Sequence, residues 1–471
     1  MNGSEMIPST LPTPVIQPPL DGNFRPAALA YRAYQDAART SGTSLQLALE
    51  RGQGEVSRFE MLIFPEGHPR AAENYPLVER TLKFLLWQRG AHTVWISGND
   101  ALAAQLAREY GPRGSRRFDW DFLGRQVYER PFRILPCAPQ DLPPSRESPR
   151  HLGRHLKGCR IGFDLGASDR KVSAVIDGTP VYSEEVIWEP RKQADPTYHY
   201  REIMAAIQSA AAHLPRVDAI GGSAAGIYIE NRPMVASLFR SVPEERFDEV
   251  HNLFLRIQQE MGVPLEILND GDVTALAGSM AIGENSVLGI ALGSSEAAGY
   301  VNPQGLITGW LNELAFAPVD YAPHAPIEEW SGDRGCGASY LSQQCVFRLA
   351  PAAGVSIPEG LPDAEKLAHV QSLLATGHEG AVNIWRSMGV YLGYALAHYA
   401  HFYEIRHVLI LGRCTSGEGG NLLLEGCKQV WEAEFPALLE RVTLHLPDEK
   451  IRRVGQSVAA ASLPEIRSEE S

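Results

Sequence analysis

Residues 159–188 read CRIGFDLGASDRKVSAVIDGTPVYSEEVIW, and no other stretch limits the fold as tightly. The first seven read as a strand. A Gly-Ala-Ser turn and an Asp-Gly turn then separate two further extended runs. Helical spacing follows over 200–214, then the strand VDAIGGSAAGIYI, a second helix over 244–262, and the strand LEILND. The order is βββαβαβ: three strands joined by turns, then alternating helices and strands.

A second series opens at SVLGIALGSSEAAGYVNPQGLITG (286–309), again strand, turn, strand, turn and strand. Helices are expected near 339–350, 363–376 and 378–402. A strand over 407–412, a helix over 419–435, a strand over 442–448 and a final helix over 453–465 complete it. Ahead of both series, 44–64 reads as a hairpin around Gly-Gln-Gly, 75–90 as a helix, 92–98 as a buried strand and 99–111 as a capped helix. The Pro- and Arg-rich stretch 134–155 reads as a linker. The resulting division is a flexible or draped tail over 1–39, an accessory α/β domain with its linker over 40–155, and two lobes over 156–268 and 269–449. The first lobe is completed by a C-terminal helix over 450–471.

The net charge is −13 and the pI near 5.6. That balance argues against the basic footprint of a nucleic-acid binder and favours an acidic soluble protein, a local basic patch aside. No apolar run reaches the roughly 18 residues of a membrane span, and no membrane partner is expected. The N-terminus lacks the charged-then-apolar order of a signal segment. None of the six cysteines forms a CxxC pair, so they read as reduced thiols of a cytoplasmic protein rather than a disulfide scaffold.

Four motifs carry possible chemistry. In DLGAS (164–168), Gly166 lets backbone approach a phosphate, Ser168 can bond one, and Asp164 can hold Mg²⁺ through water. The plain alternative is a hairpin turn. In ALGSSEAAGYV (291–301), Gly293 and Ser294 form a second turn able to cradle phosphate, or again a simple hairpin. Glu296 beside it would repel polyphosphate unless a cation offsets it. In LILGRCTSGEGGNLL (409–423), the strand ends at Gly412 and a glycine loop leads into a helix. In LEILNDGDVTALAG (265–278), Asp270 either caps the following helix or takes a proton from a hydroxyl.

The order of these motifs over 158–465 resembles the sugar kinases of the actin/hexokinase/Hsp70 superfamily, and within it the ROK family (repressors, open reading frames and kinases). GVPLEILNDGDVTALAG is the most specific segment: Pro264, Asn269 and Asp270 match the family pattern, and Asp272 stands where the family has a second Asn. The resemblance implies an α/β, two-lobed actin-like (ribonuclease H-like) ATPase fold with an additional N-terminal α/β domain. It implies ATP-dependent phosphorylation of a sugar or sugar-like hydroxyl in a cleft between lobes, with Asp270 as general base. A non-catalytic sugar- or nucleotide-binding regulator on the same fold is the alternative. Asn269 and Glu313 would bind the sugar. Asp164, Gly166, Ser168, Gly293, Ser294 and Gly412 would bind the nucleotide, and Asp164 would carry Mg²⁺. The family also allows a homodimer.

Four departures stand out. Phe316 replaces the motif's His, and Ser294-Ser295 replaces a Thr-Gly. Gln343 falls near a second sugar-binding Glu. In RGCGASYLSQQC (334–345) only Cys336 and Gly337 fit a cysteine-rich zinc region, so no zinc site is expected.

Overall fold

The computed structural model describes residues 11–147, 149–446 and 455–466. The chain divides into two compact units. One takes in Met1–Ser148, Ile290–Ala297 and Trp310–Leu446, and the other Pro149–Gly289, Ala298–Gly309 and Pro447–Ser471.

The second unit holds the βββαβαβ series. Its five-stranded sheet runs Leu265–Asn269, Ala219–Ala224, Cys159–Leu165, Asp169–Ile176, Thr179–Ile187. The first three strands are parallel, and the last two extend the sheet as an antiparallel meander. Phe163 and Ile161 share a buried core with Ile203 and Ile207 of the helix Pro196–Ala211 and with Phe254 and Ile257 of Leu253–Met261. Alternation along a strand turns Gly162 to the other face. A Cβ at Gly162 would stand 1.9 Å from Ser457 O, and one at Gly221 1.6 Å from Ala460 O. These glycines let the helix Gln456–Ala461 lie directly on the sheet. It is the described part of the C-terminal helix expected over 450–471; the remainder lies outside the described residues. The single helix expected over 244–262 is broken: Phe247–His251 and Leu253–Met261 meet at Asn252, whose backbone departs from helical geometry.

In the first unit, the expected hairpin Thr43–Glu50/Val56–Ile63 joins Thr93–Ser97 and Arg133–Pro136 in one four-stranded sheet. The last strand occupies the start of the stretch read as linker. The tail expected over 1–39 is also corrected, because Ala27–Ala38 is a helix with Ala27, Ala28, Ala30, Tyr31 and Tyr34 buried. Just before it, Phe24 packs edge-on against Tyr391 at 4.8 Å between ring centres. Small alanines on one face suit close helix packing, and the proline-rich residues that precede them conceal the pattern.

A further four-stranded sheet runs Glu296–Val301, Val287–Leu292, His407–Leu411, Thr443–His445. The third strand expected near 306–309 does not form; Ile307 makes only isolated bridges to Val301 and Arg150. Helices Gln343–Leu349, Asp363–Ala375, Glu379–Tyr399 and Gly419–Glu434 follow the expected order. The lobe division at 268/269 is not the one observed: Asn269 and the helix Asp270–Ile282 stay with the preceding strands, and residues 40–147 share a unit with 310–446. Among the described residues, no helix is long and apolar enough to cross a membrane.

Candidate active site

The parallel strands bring Asp164, Ser223 and Asn269 to their C-terminal ends, where open α/β sheets bind ligands. Register places Asp164 opposite Ser223, and Ala224 opposite both Leu165 and Asn269. Ser223 Oγ donates to Asp164 Oδ1 at 2.8 Å, and Gln456 Nε2 reaches the same oxygen at 3.3 Å and Ser223 Oγ at 3.0 Å. Burial pushes the Asp164 carboxyl up to about 6; the Ser223 bond opposes this, and the nearby charge of Asp270 adds to it.

Asn269, not Asp270, is the helix cap. Its Oδ1 accepts from Gly271 N at 2.7 Å, and its Nδ2 donates to Gly226 O at 2.7 Å. Asp270 is the first helical residue and shares the Gly271 N–H at 3.0 Å. Burial raises its pKa, while the Gly271 N–H draws it back. The carboxylate at the strand tip is therefore not consumed by capping. The helix start is seated by close backbone contact. A Cβ at Gly271 would lie 2.2 Å from Ala298 O, and one at Gly299 2.1 Å from Gly271 O. Tyr300 N donates to Asp272 Oδ1 at 3.3 Å. Asp272, at the place of the family's second Asn, thus ties the helix to a neighbouring strand.

The first phosphate-type turn closes on itself. Gly166 N donates to Asp169 O at 2.9 Å, and Trp188 Nε1 to Gly166 O at 2.9 Å. Ser168 is exposed, with its hydroxyl on Asp169 Oδ2 at 3.0 Å.

The remaining sequence candidates lie in the first unit. Gly293 O accepts from Gln343 N at 2.9 Å, which braces the second turn on the helix Gln343–Leu349. A Cβ at Gly293 would meet nothing nearer than Ser295 O at 3.7 Å, so packing within the protein does not demand glycine there. Ser294 and Ser295 are exposed. Glu296 points inward and is 3% exposed, with Tyr399 OH donating to its Oε1 at 3.0 Å. Burial pushes it up to about 8, so it is uncharged at neutral pH and does not repel an anion at the turn. Gly412 has φ +97 and lies against Leu292 backbone, its Cβ position 2.4 Å from Leu292 O. Strand packing alone therefore requires that glycine.

Glu313 is half-buried, its backbone N–H on Trp87 O at 2.9 Å. Phe316 packs with its ring centre 4.3 Å from that of Trp87, the planes tilted by 31°, and lies beside Phe118 and Phe122. The N-terminal residues thus surround the position where the motif has its His. Next to this cluster lies a buried network. Lys83 Nζ sits 2.9 Å from Asp119 Oδ1 and 3.2 Å from Asp333 Oδ2, and Arg80 Nη1 is 3.0 Å from Asp333 Oδ2. Cys336 is fully buried close to Asp333. Among the described residues, no group of three or more His, Cys, Asp or Glu is placed to hold a metal ion.

Sequence reasoning missed Ser223, Gln456, Gly299 and Tyr399. Ser223 left a trace, as the one polar side chain in the strand AIGGSA. The others act across long sequence separations that no local pattern marks.

No protein-family profile matches the chain, and no curated protein does. Solved structures do. A ROK-family transcriptional regulator homologous to the E. coli MLC protein superposes with TM-score 0.52 at 18% identity, covering 65% of this chain and 78% of its own. A ROK hexokinase from Thermus thermophilus gives 0.50 at 17% identity, covering 64% of this chain and 98% of its own. The fold is the ROK fold. It accounts for about two-thirds of the chain, which leaves room for the additional N-terminal region.

Proposed function

We propose that this protein transfers a phosphoryl group from ATP to a hydroxyl of a sugar or sugar-like acceptor. One observation carries the reading: Asp164 and Asp270 stand together at the C-terminal ends of the parallel strands, and Asn269 rather than Asp270 caps the helix. Asp270 accepts the proton of the attacking hydroxyl, and its burial strengthens it as a base. Asn269 has both ends of its amide on backbone, so its part is to fix Asp270 as much as to meet a sugar.

The donor set suits Mg²⁺, which keeps most of its waters and takes one or two carboxylates. Asp164 Oδ1 is held by Ser223 and Gln456, and among the described residues nothing bonds its Oδ2. Bound there, Mg²⁺ would neutralise phosphate charge. Backbone N–H groups of the turns at Gly166–Ser168 and Gly293–Ser294 would meet phosphates, the loop after Gly412 the adenosine, and Glu313 the sugar. A cytoplasmic setting and a homodimer belong to the same reading; the six cysteines are free, as that setting requires.

The test is transfer from Mg-ATP across a panel of hexoses, N-acetylhexosamines and polyols, with Asp270→Asn as control. Turnover that survives the substitution removes Asp270 from the role of base. Phe316, enclosed by aromatic rings where the motif has an imidazole, favours a second reading as a binding regulator. Saturable sugar binding with no turnover on any acceptor decides for that reading.

A further inference from the structure

The proposed mechanism leaves one buried carboxyl group unused. Glu296 follows the Gly293-Ser294-Ser295 turn directly, yet its side chain leaves the solvent side altogether and is 3% exposed. Its Oε1 accepts from Tyr399 at the end of the long helix Glu379–Tyr399. Its Oε2 has no hydrogen-bond partner and lies where the Cβ of any residue but glycine at 337 would stand, 2.0 Å from that position. The turn therefore has two braces: Gly293 O on the Gln343 N–H, and Glu296 on Tyr399.

Among the described residues no cation pairs with Glu296. The titratable groups nearby are Tyr399 and Cys336, whose acid forms burial favours, and Tyr403 beyond them. Further out, Lys83, Arg80 and Asp333 are paired with one another. An ionised carboxylate here has one donor on one oxygen and no partner on the other among the described residues, which is a costly arrangement.

We propose that Glu296 is a positioning residue for the second phosphate turn: uncharged, it stays buried and anchors the turn to the long helix through Tyr399, and once ionised it leaves the apolar interior for water, which frees the turn and sets a negative charge against an anion bound there. This rests on the reading of the turn as a phosphate site.

The experiment has two arms on the full chain: Mg-ATP affinity by calorimetry from pH 6.5 to 9.5, and hydrogen exchange of the amides over 293–297 at pH 7 and 9. Both compare the wild type with Glu296→Gln and Tyr399→Phe. Since burial raises the Glu296 carboxyl to about 8, wild-type affinity is expected to fall about tenfold between pH 7 and 9. Glu296→Gln, neutral at every pH, is expected to hold its pH 7 affinity through pH 9. Tyr399→Phe removes the anchor itself and is expected to weaken Mg-ATP binding already at pH 7; because the lost bond favours ionisation, the remaining fall is expected at higher pH. A flat wild-type profile, or equal falls in wild type and Glu296→Gln, overturns the role while leaving the kinase reading intact. If Mg-ATP binds at no pH, the kinase reading fails and exchange alone decides the anchoring. Exchange at pH 9 faster in wild type than in Glu296→Gln, with equal rates at pH 7, supports it. Equal rates at both overturn it.

Discussion

Ser223 Oγ donates to Asp164 Oδ1 across the two central strands at 2.8 Å, and this bond restrains a carboxyl that burial drives up to about 6. Asp164 is useful for holding a cation only when ionised. Ser223→Ala removes the bond that favours the ionised form, so the pKa rises further. The acid limb of kcat/KM against pH is expected to move upward by about one unit, consistent with one charge-assisted hydrogen bond. Turnover above pH 8 is expected to stay near the wild-type level.

The helix cap and the base are separable because they are adjacent residues. Asp270→Asn is expected to lower kcat by roughly 10²–10⁴-fold, with Mg-ATP affinity kept and the melting temperature not reduced. Asn269→Ala removes the bond to Gly271 and the one to Gly226. It is expected to cost about 1 kcal/mol or more in denaturant unfolding, as loss of a cap does.

The strands and helices around Asp164 and Asp270 were readable because local signals agreed there: apolar runs, Gly turns and an Asn-Asp junction. That Asn269 and not Asp270 takes the Gly271 cap was not readable, since either residue type suits it. The helix Ala27–Ala38 escaped because its buried face is mostly alanine, which carries a weak hydrophobic signal. Glu296 looked like a charge beside a phosphate, because nothing local shows its side chain reaching Tyr399 from 103 positions away. The third strand expected near 306–309 had the right residues, but the turn closed by Asn302 leaves Ile307 only isolated bridges.

Lys83 is fully buried between Asp119 and Asp333, and with Arg80 it joins residues of the N-terminal sequence to those of the loop before Cys336. Removing one member of a buried ion network strands the rest. Lys83→Met is expected to cost about 3–5 kcal/mol, read from denaturant midpoints. Deletion of residues 1–147 is expected to abolish soluble expression, since it bares Asp333 and the ring of Phe316 together.

Gly299 and Gly271 meet backbone to backbone, and a Cβ on Gly299 would stand 2.1 Å from Gly271 O. Neither chain can yield without moving the helix that begins at Asp270. Gly299→Ala is expected to lower kcat at least tenfold with a smaller change in KM, since a displacement of about 1 Å costs catalysis more than binding. The measurement is steady-state kinetics on the acceptor found active in the panel. A variant with wild-type kcat would show that the seat of the helix does not set the position of Asp270.

Buried ionisable groups also fix how stability varies with pH, and here two classes oppose each other. Burial holds Glu296 up to about 8, so between its ordinary value of 4.5 and 8 the folded chain keeps a proton that the unfolded chain has lost. Stability from this group is full below 4.5 and falls as pH rises, by about 1.4 kcal/mol per pH unit at most. His398 and His199 run the other way: burial lowers both, so unfolding takes up protons below their ordinary 6.5 and stability falls as pH drops. His92, His401 and His445 are lowered in the same way, and the histidine slope fades only as pH climbs well past 6.5. The Glu296 contribution is therefore read as a difference: relative to Glu296→Gln, wild-type stability is expected to lose ground steadily across pH 6.5–8. Chemical denaturation at half-unit pH steps measures both slopes; parallel slopes would show that Glu296 is already ionised in the folded chain at neutral pH.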